Sequence, residues 1–226
     1  MSVVALGTPG GLLEISSIAL HVASMWPRPV TVIEADPDGG RLAVRHNWHL
    51  RPGLAALTSS LRGFSNALAP VEPVSTENEN FGSTRGHIRV ITAPLAPEEV
   101  IAELRELSST ASRLEEVLGT DVLISIGTIR PGSPATALIE AADARLLVMR
   151  CTVEDVAAVL HRRQLLQSTG TWTVLTAGGC LNTIDVARCI HWPVLADLLP
   201  SDRRNSLVLR QRIGELAATL KSEARQ

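Results

Sequence analysis

Short, continuously apolar runs recur along this chain, and the segments between them have the apolar spacing of helices. Val3 to Leu6 is the first such run and Val30 to Ile33 is the second. Runs that are apolar at every position are typical of strands buried on both faces of a parallel sheet. The alternation predicts a doubly wound α/β fold, a mostly parallel sheet with helices on both faces. The other predicted strands are 87–91, 122–126, 146–149, 172–175 and 194–195.

The segments between these runs predict helices, one of which has a clear beginning and end. Pro97 followed by Glu98 and Glu99 suits a first helical turn, and this helix is predicted to continue to Leu118, just before Gly119. The other predicted helices span 12–25, 153–167, 184–190 and 207–221.

One segment interrupts the alternation. Pro70 to Gly86 (PVEPVSTENENFGSTRG) is polar and has neither the strand nor the helix period. Because the alternation resumes after it, we interpret it as a flexible polar loop inside a single domain that spans residues 1–226.

The composition excludes several kinds of chemistry. Lys221 is the only lysine in the 226 residues, and tyrosine is absent. A Schiff-base lysine, a lysine general base or a lysine phosphate clamp would have to use that one residue, close to the end of the sequence. The net charge of -2 gives no sign of a nucleic-acid partner. With no apolar run of about 20 residues and no basic leader region, we expect a cytoplasmic protein.

Two turns carry the residues with chemical potential. Gly7 to Ser17 (GTPGGLLEISS) joins the first predicted strand to the first predicted helix, where backbone N–H groups commonly bind phosphate. Glu34 to Gly40 (EADPDGG) follows the second predicted strand and brings three carboxylates to the edge where α/β proteins place their sites. Turn chemistry explains this second cluster more simply than a cation site does, and we predict no metal site.

Together these two turns resemble those of the MinD/ParA family of deviant P-loop ATPases, in particular its actinobacterial members. Four later segments also resemble family motifs: the Walker B strand, the loop after it, a following strand, and the end of the domain. They are 121–125 (DVLIS), 130–134 (RPGSP), 141–148 (AADARLLV) and 192–202 (WPVLADLLPSD). The resemblance spans nearly the whole chain and implies the same doubly wound fold.

The chain departs from the family at the positions that bind ATP and magnesium. The family's loop reads roughly K-G-G-x-G-K-T/S, and here Pro9 takes the first lysine position and Leu13 a glycine position. Glu14 stands at the second lysine, Ile15 at the magnesium-binding hydroxyl, and Ser125 at the Walker B aspartate. A carboxylate about 4 Å from a phosphate charge costs roughly 4 kcal/mol at an effective dielectric of 20. Loop amides and a helix dipole favour an anion by only about 1 kcal/mol.

The resemblance therefore implies a vestigial nucleotide site without catalytic residues. Asp36 stands at the family's water-activating aspartate, and Ser16 could supply a hydroxyl only in a shifted register. The vestigial site is predicted to comprise Thr8, Gly10, Gly11, Glu14, Ser16, Asp36 and Ser125. We expect neither a cofactor nor a bound metal.

By resemblance, the leading hypothesis is a pseudo-ATPase that acts as a protein-binding or dimerisation module in positioning, partitioning, or envelope, pilus or secretion assembly. The alternative is a nucleotide-dependent ATPase switch with an atypical loop, which would bind ATP and magnesium. A protein partner is expected, a homodimer is an open alternative, and a partner could bring the chain to a membrane. Direct contact with a membrane is less favoured, because the apolar face of the last predicted helix suits packing on the sheet. Contact with DNA is less favoured because the chain has no wider basic excess. That face comprises Leu209, Ile213, Leu216 and Leu220.

Overall fold

The computed structural model describes residues 1–11, 13–48, 53–63, 88–198 and 203–223. Across these residues, seven strands form one fully parallel sheet in the order β3-β2-β4-β1-β5-β6-β7. The predicted fold class is confirmed, and the predicted polar loop at 70–86 lies outside the described residues. The strands are β1 Val3–Thr8, β2 Val30–Glu34, β3 Ile88–Ile91, β4 Asp121–Thr128, β5 Ala144–Cys151, β6 Thr173–Gly179 and β7 Val194–Asp197.

Ten α-helices connect and cover the strands in the described part of the chain. They are α1 Ile15–Met25, α2 Leu42–His46, α3 Leu54–Leu61, α4 Pro97–Ser109, α5 Leu114–Leu118, α6 Thr136–Ala141, α7 Val153–His161, α8 Arg163–Ser168, α9 Thr183–Ile190 and α10 Arg203–Glu223. The short helices α2, α3 and α6 were not predicted from the sequence.

The long helix predicted over 97–118 is broken in the structure. The backbone leaves the helical region at Thr110, and a 3-10 turn at Ala111–Arg113 follows before the chain resumes as α5. The Thr110 hydroxyl donates to the carbonyl oxygens of Glu106 and Leu107, at 3.2 and 3.3 Å. A hydroxyl that bonds the preceding turn competes with the helical ladder, which gives a physical reason for the break. The helix predicted over 153–167 likewise divides, at Arg162, into α7 and α8.

The helices cover the sheet in two layers with separate apolar cores. On one face, α1 and α10 pack against the strands; on the other, the core is formed with helices α3 to α9. The buried face of α10 comprises Leu209, Ile213, Ala217 and Leu220, while Leu216 is half-buried. The packing role predicted for this helix is therefore confirmed. Among the described residues, no helix is long and apolar enough to cross a membrane.

A buried carboxylate joins several elements at the amino end of β4. Asp121 Oδ1 accepts from the Ser2 N–H at 3.1 Å, and Oδ2 accepts from Trp26 Nε1 at 2.8 Å and Arg28 Nε at 2.6 Å. Arg28 Nη1 also donates to the carbonyl oxygen of Ala217 in α10, at 2.9 Å. One charge pair thus connects the beginning of the chain, the end of α1 and the last helix.

The order of the strands determines where a site can form. The connection from β1 to β2 crosses β4, whereas β5 lies on the other side of β1. The chain therefore leaves β1 and β4 in opposite directions, which opens a crevice outside their carboxyl ends.

Candidate functional site

The loop after β1 forms one wall of this crevice. Gly7 lies so close to β4 that a Cβ there would come within 2.8 Å of Ile126 Cδ1 and Ile129 Cγ1. The Thr8 hydroxyl donates to the Gly10 carbonyl oxygen at 2.9 Å, which holds the turn from inside. The end of β1 is thus packed tightly against β4, and the Thr8 hydroxyl stabilises the turn that follows.

Glu14 lies at the beginning of α1, with an extended backbone and without a side-chain cap. Its side chain is 19% exposed and forms an ion pair with Arg45 of α2. Arg45 Nη1 also donates to Ser17 Oγ at 2.8 Å. An arginine from a different helix therefore compensates the charge of the Glu14 carboxylate.

The next two residues of α1 point into the protein. Ile15 is 2% exposed and belongs to the apolar core beneath the loop. The buried Ser16 and Ser125 hydroxyls share a hydrogen bond of 3.0 Å, and Ser16 also hydrogen-bonds the Glu34 carboxylate. Ser125, which the sequence resemblance aligned with the Walker B aspartate, is thus bonded to another side chain of the protein.

Glu34 ends β2 and is completely buried. Oε1 accepts from the N–H groups of Arg41 and Leu42, at 2.8 and 3.1 Å, and Oε2 accepts from the Ala93 N–H at 3.1 Å. Burial raises the pKa of this carboxyl group, while the backbone hydrogen bonds oppose that change. Glu34 therefore fixes the chain segments that follow β2 and β3.

Asp36 and Asp38 join the loops after β2 and β4. Asp36 lies directly against Gly127, whose φ is +65°. A Cβ at position 127 would collide with the Asp36 carboxylate, so the contact requires glycine. Burial raises the pKa of the Asp36 carboxyl group, and the nearby negative charge of Asp38 acts in the same direction. Arg130 binds Asp38 through two parallel hydrogen bonds of 2.8 and 2.7 Å. The bidentate pair closes the contact between the two loops.

Asp155 of α7 is a second carboxylate beside the glycine-rich loop. It is 5% exposed, and a Cβ at Gly10 would lie 3.4 Å from its Oδ1. Arg150 holds it through the backbone N–H at 2.8 Å and Nη2 at 3.0 Å. The Thr152 hydroxyl, which caps α7, accepts from the Asp155 N–H at 3.3 Å. Sequence reasoning missed Asp155, although a threonine three residues before an acid is a helix-start signal.

The predicted site residues all lie around this crevice, at the carboxyl ends of β1, β2 and β4. The set comprises Thr8, Gly10, Gly11, Glu14, Ser16, Asp36 and Ser125. Sequence reasoning did not identify the partners of the carboxylates, namely Arg45, Arg130 and Arg150. In the described part of the chain, no group of three or more His, Cys, Asp or Glu side chains could hold a metal ion.

The residues present do not fit a magnesium–triphosphate group. Glu14 places negative charge at the helix terminus where a phosphate would need a cation. Ile15 has no oxygen to offer a metal, and Ser125 is a buried hydroxyl already bonded to Ser16. A magnesium ion prefers carboxylate oxygens and water in octahedral geometry, which this pair of hydroxyls does not supply.

No family model and no curated protein matches this sequence. Among solved structures, a ParA family ATPase from Chlorobium tepidum TLS is similar, with a TM-score of 0.63 and 14% identity over 96% of this chain and 98% of that one. The septum site-determining protein MinD from Pyrococcus horikoshii OT3, complexed with Mg-ADP, has a TM-score of 0.65 and 13% identity over 98% and 89%. A chain of the MinC:MinD cell division complex of Aquifex aeolicus has a TM-score of 0.58 and 13% identity over 94% and 86%. At these identities the similarity establishes the fold, which is that of the MinD/ParA P-loop NTPases.

Proposed function

We propose that this chain, which has the MinD/ParA fold, is a non-catalytic pseudo-ATPase that acts as a protein-binding or dimerisation module. The observation that carries the proposal is the ion pair of Glu14 with Arg45 at the mouth of the glycine-rich loop. By analogy with the family, the module serves positioning, partitioning, or envelope, pilus or secretion assembly. It works in the cytoplasm or is brought to a membrane by its partner.

The charge distribution around the loop opposes a triphosphate. Each carboxylate about 4 Å from a phosphate charge costs roughly 4 kcal/mol at an effective dielectric of 20. Both Glu14 and Asp155 lie beside the loop. Their arginine partners are already paired with them, so those cations would have to leave one anion in order to bind another.

The side of the site where the family holds its metal is also changed. Phosphoryl transfer depends on a cation and a positioned metal to stabilise charge in the transition state. Ser16, Ser125 and Glu34 form a buried hydrogen-bonded group in that place. We infer that this group maintains the shape of the crevice floor without a ligand.

The partner is expected to be a protein. One solved structure of similar fold is the MinC:MinD complex, so the fold itself supports protein assembly. The apolar face of α10 is buried against the sheet, which leaves that face unavailable to a lipid surface. Membrane association therefore depends on the partner in this proposal.

Isothermal titration of the purified chain with Mg-ATP and with ADP tests the proposal. We expect no saturable binding at ligand concentrations up to about 1 mM, a limit equivalent to roughly -4 kcal/mol. The double variant Glu14→Lys with Ile15→Thr should still not hydrolyse ATP, because Ser125 provides no carboxylate for the metal.

Micromolar binding of Mg-ATP by the wild-type chain would overturn the proposal. If Arg45→Ala then abolished that binding while Arg212→Ala did not, the alternative would hold: a nucleotide-dependent switch that binds through loop amides and arginine. Arg212 is a matched control because it is an exposed arginine on α10, paired with Glu215.

A further inference from the structure

Two cysteines lie side by side at the carboxyl ends of β5 and β6. Cys151, the last residue of β5, pairs with Gly179, the last residue of β6, and Cys180 follows directly. A Cβ at Gly179 would lie 2.4 Å from the Cys151 carbonyl oxygen, and the Leu181 N–H donates to the same oxygen at 2.8 Å. The residues before and after Cys180 therefore both contact the backbone of Cys151.

These contacts limit the distance between the two cysteines. Because the Leu181 nitrogen lies 2.8 Å from the Cys151 oxygen, standard backbone dimensions place the Cα atoms of Cys151 and Cys180 at most about 7.6 Å apart. Disulfides join Cα atoms that are about 4.4–6.8 Å apart. The turn that carries Cys180 contains Gly178 and Gly179, with φ values of +70° and +130°. Glycine is free to change its backbone angles, so the turn can make the small adjustment that a bond requires.

The two thiols differ in their access to solvent. Cys180 is exposed, whereas Cys151 is 2% exposed and belongs to the apolar core. Burial raises the pKa of the Cys151 thiol, and the negative charges of Asp197 and Cys180 act in the same direction. Cys151 therefore stays protonated at neutral pH, and a dissolved oxidant meets Cys180 first.

We propose that Cys151 and Cys180 form a reversible disulfide, which makes this end of the sheet a redox-sensitive site. With oxidised glutathione as the oxidant, the Cys180 thiolate attacks one of its sulfurs, forms a mixed disulfide and expels glutathione thiolate. The Cys151 thiol then attacks the Cys180 sulfur, and its proton passes to the second departing glutathione. The cysteine pair loses two electrons, and oxidised glutathione becomes two molecules of reduced glutathione.

The disulfide would constrain one wall of the candidate site. Thr152, next to Cys151, caps α7, and Asp155 in the first turn of that helix adjoins Gly10. The bond would close a loop of about 30 residues that contains α7 and α8, which restricts the unfolded chain. We expect oxidation to raise the midpoint of thermal unfolding by roughly 5–10 °C.

Incubation of the full chain with oxidised glutathione, followed by alkylation and mass spectrometry, tests the inference. We expect a Cys151–Cys180 disulfide that dithiothreitol reverses, preceded by a mixed disulfide at Cys180. The mixed disulfide should be detectable, because little of the Cys151 thiol is ionised and its attack is slow. In Cys151→Ser the mixed disulfide should persist, since no second thiol is present to displace it. Cys189→Ser is the matched control, because Cys189 is exposed like Cys180 and its loss should leave the bond unchanged.

Cys180→Ser changes an exposed residue and so tests the inference without disturbing the core. This variant should form no disulfide at Cys151, and its unfolding midpoint should be the same with and without oxidant. The inference would be overturned if the wild-type chain kept its glutathione adduct as long as Cys151→Ser does. A disulfide that includes Cys189 in the folded chain, or an unfolding midpoint that oxidation does not raise, would also overturn it. None of these measurements involves nucleotide, so they leave the pseudo-ATPase proposal to the titration described above.

Discussion

Two buried carboxylates at opposite ends of the sheet are held in different ways. Asp121, at the amino end of β4, is 3% exposed, and Glu34, at the carboxyl end of β2, is completely buried. Asp121 has a guanidinium partner in Arg28, whereas the hydrogen bonds of Glu34 come from backbone N–H groups and a hydroxyl. Burial raises the pKa of Glu34 despite those bonds.

The comparison distinguishes a buried carboxylate that stabilises the fold, Asp121, from one that shapes the candidate site, Glu34. A buried charge with its counter-ion in place is costly to disrupt, because removal of one partner leaves the other uncompensated. A buried carboxylate with only dipolar partners keeps a desolvation cost of its own. We infer that the contacts of Asp121 at the amino end of the sheet stabilise the fold, whereas those of Glu34 shape the loops around the crevice.

The largest effect should come from Asp121→Ala at the amino end. Loss of the carboxylate leaves the Arg28 charge without its counter-ion and the Trp26 indole without its acceptor, so the free energy of unfolding should fall by about 3–5 kcal/mol. Urea unfolding measures this value. Asp143→Ala is the control, because Asp143 is exposed and accepts from the Val3 N–H, at 2.7 Å, without a buried counter-ion. That control should lose only about 1 kcal/mol, and equal losses would contradict the comparison.

At the carboxyl end, Ser125→Asp should destabilise the fold, although it introduces the residue that the sequence resemblance leads one to expect there. Ser125 is completely buried and pairs with Glu34 across β2 and β4, so a second carboxylate would meet the first in a desolvated place. We expect a loss of about 2–4 kcal/mol in the free energy of unfolding. Ser125→Asn, which introduces a side chain of the same shape as aspartate but neutral, should lose clearly less. If the aspartate were tolerated as well as asparagine, the floor of the crevice would be less fixed than we infer.

Much of the fold could be predicted from the sequence because its signals are local. The core of every strand was predicted, since a run such as Val122 to Ile126 is almost continuously apolar wherever it lies in the sheet. The break of the helix at Thr110 was not predicted, because the apolar spacing continues across it. The order of the strands was not predicted, because it depends on contacts between segments far apart in the sequence.

The site was predicted less completely, for a physical reason. The positions of Glu14 and Ser125 relative to the motifs could be read from the sequence, but their bonding partners lie far away along the chain. Arg45 is 31 residues beyond Glu14, and Ser125 is 109 residues beyond Ser16. Glu34 was interpreted as part of a turn, and only the fold shows that it is buried.

A third prediction concerns the pH dependence of stability through Glu34. A pKa raised in the folded state means that the folded chain binds more protons than the unfolded chain. Stability from this group is therefore present below its ordinary value of 4.5 and is lost as pH rises through the raised pKa. Glu34→Gln should remove this pH dependence. It should also lower the free energy of unfolding by about 1–2 kcal/mol at pH 7, because the glutamine NH2 group would face the Ala93 N–H, which is also a donor.

Urea unfolding of wild type and Glu34→Gln between pH 4 and pH 8 measures both effects. A tenfold difference in proton affinity between the folded and unfolded chain corresponds to about 1.4 kcal/mol. The amount by which the free energy of unfolding of the wild type exceeds that of Glu34→Gln should be larger at pH 4 than at pH 8. An advantage that instead grew with pH would mean that the folded state favours the ionised carboxylate.

The smallest effect should come from the ion pair of Glu14 with Arg45. Arg45 is 54% exposed, so a double-mutant cycle with Glu14→Ala and Arg45→Ala should give a coupling of less than about 1 kcal/mol. The coupling should decrease further in about 1 M salt, where the Debye length is roughly 3 Å. A coupling as large as the loss from Asp121→Ala would show that the two ends of the sheet do not differ as we describe.

The bond from Arg28 to the Ala217 carbonyl also has a consequence for synthesis of the chain. Asp121 and Arg28 are made before α10, the helix that completes their surroundings. At about 5–20 residues per second, the roughly 100 residues in between take about 5–20 s. Through that interval α10 is not available to cover the apolar face of α1 or to accept the hydrogen bond from Arg28. Native packing on this side of the sheet therefore waits until α10 becomes free to dock.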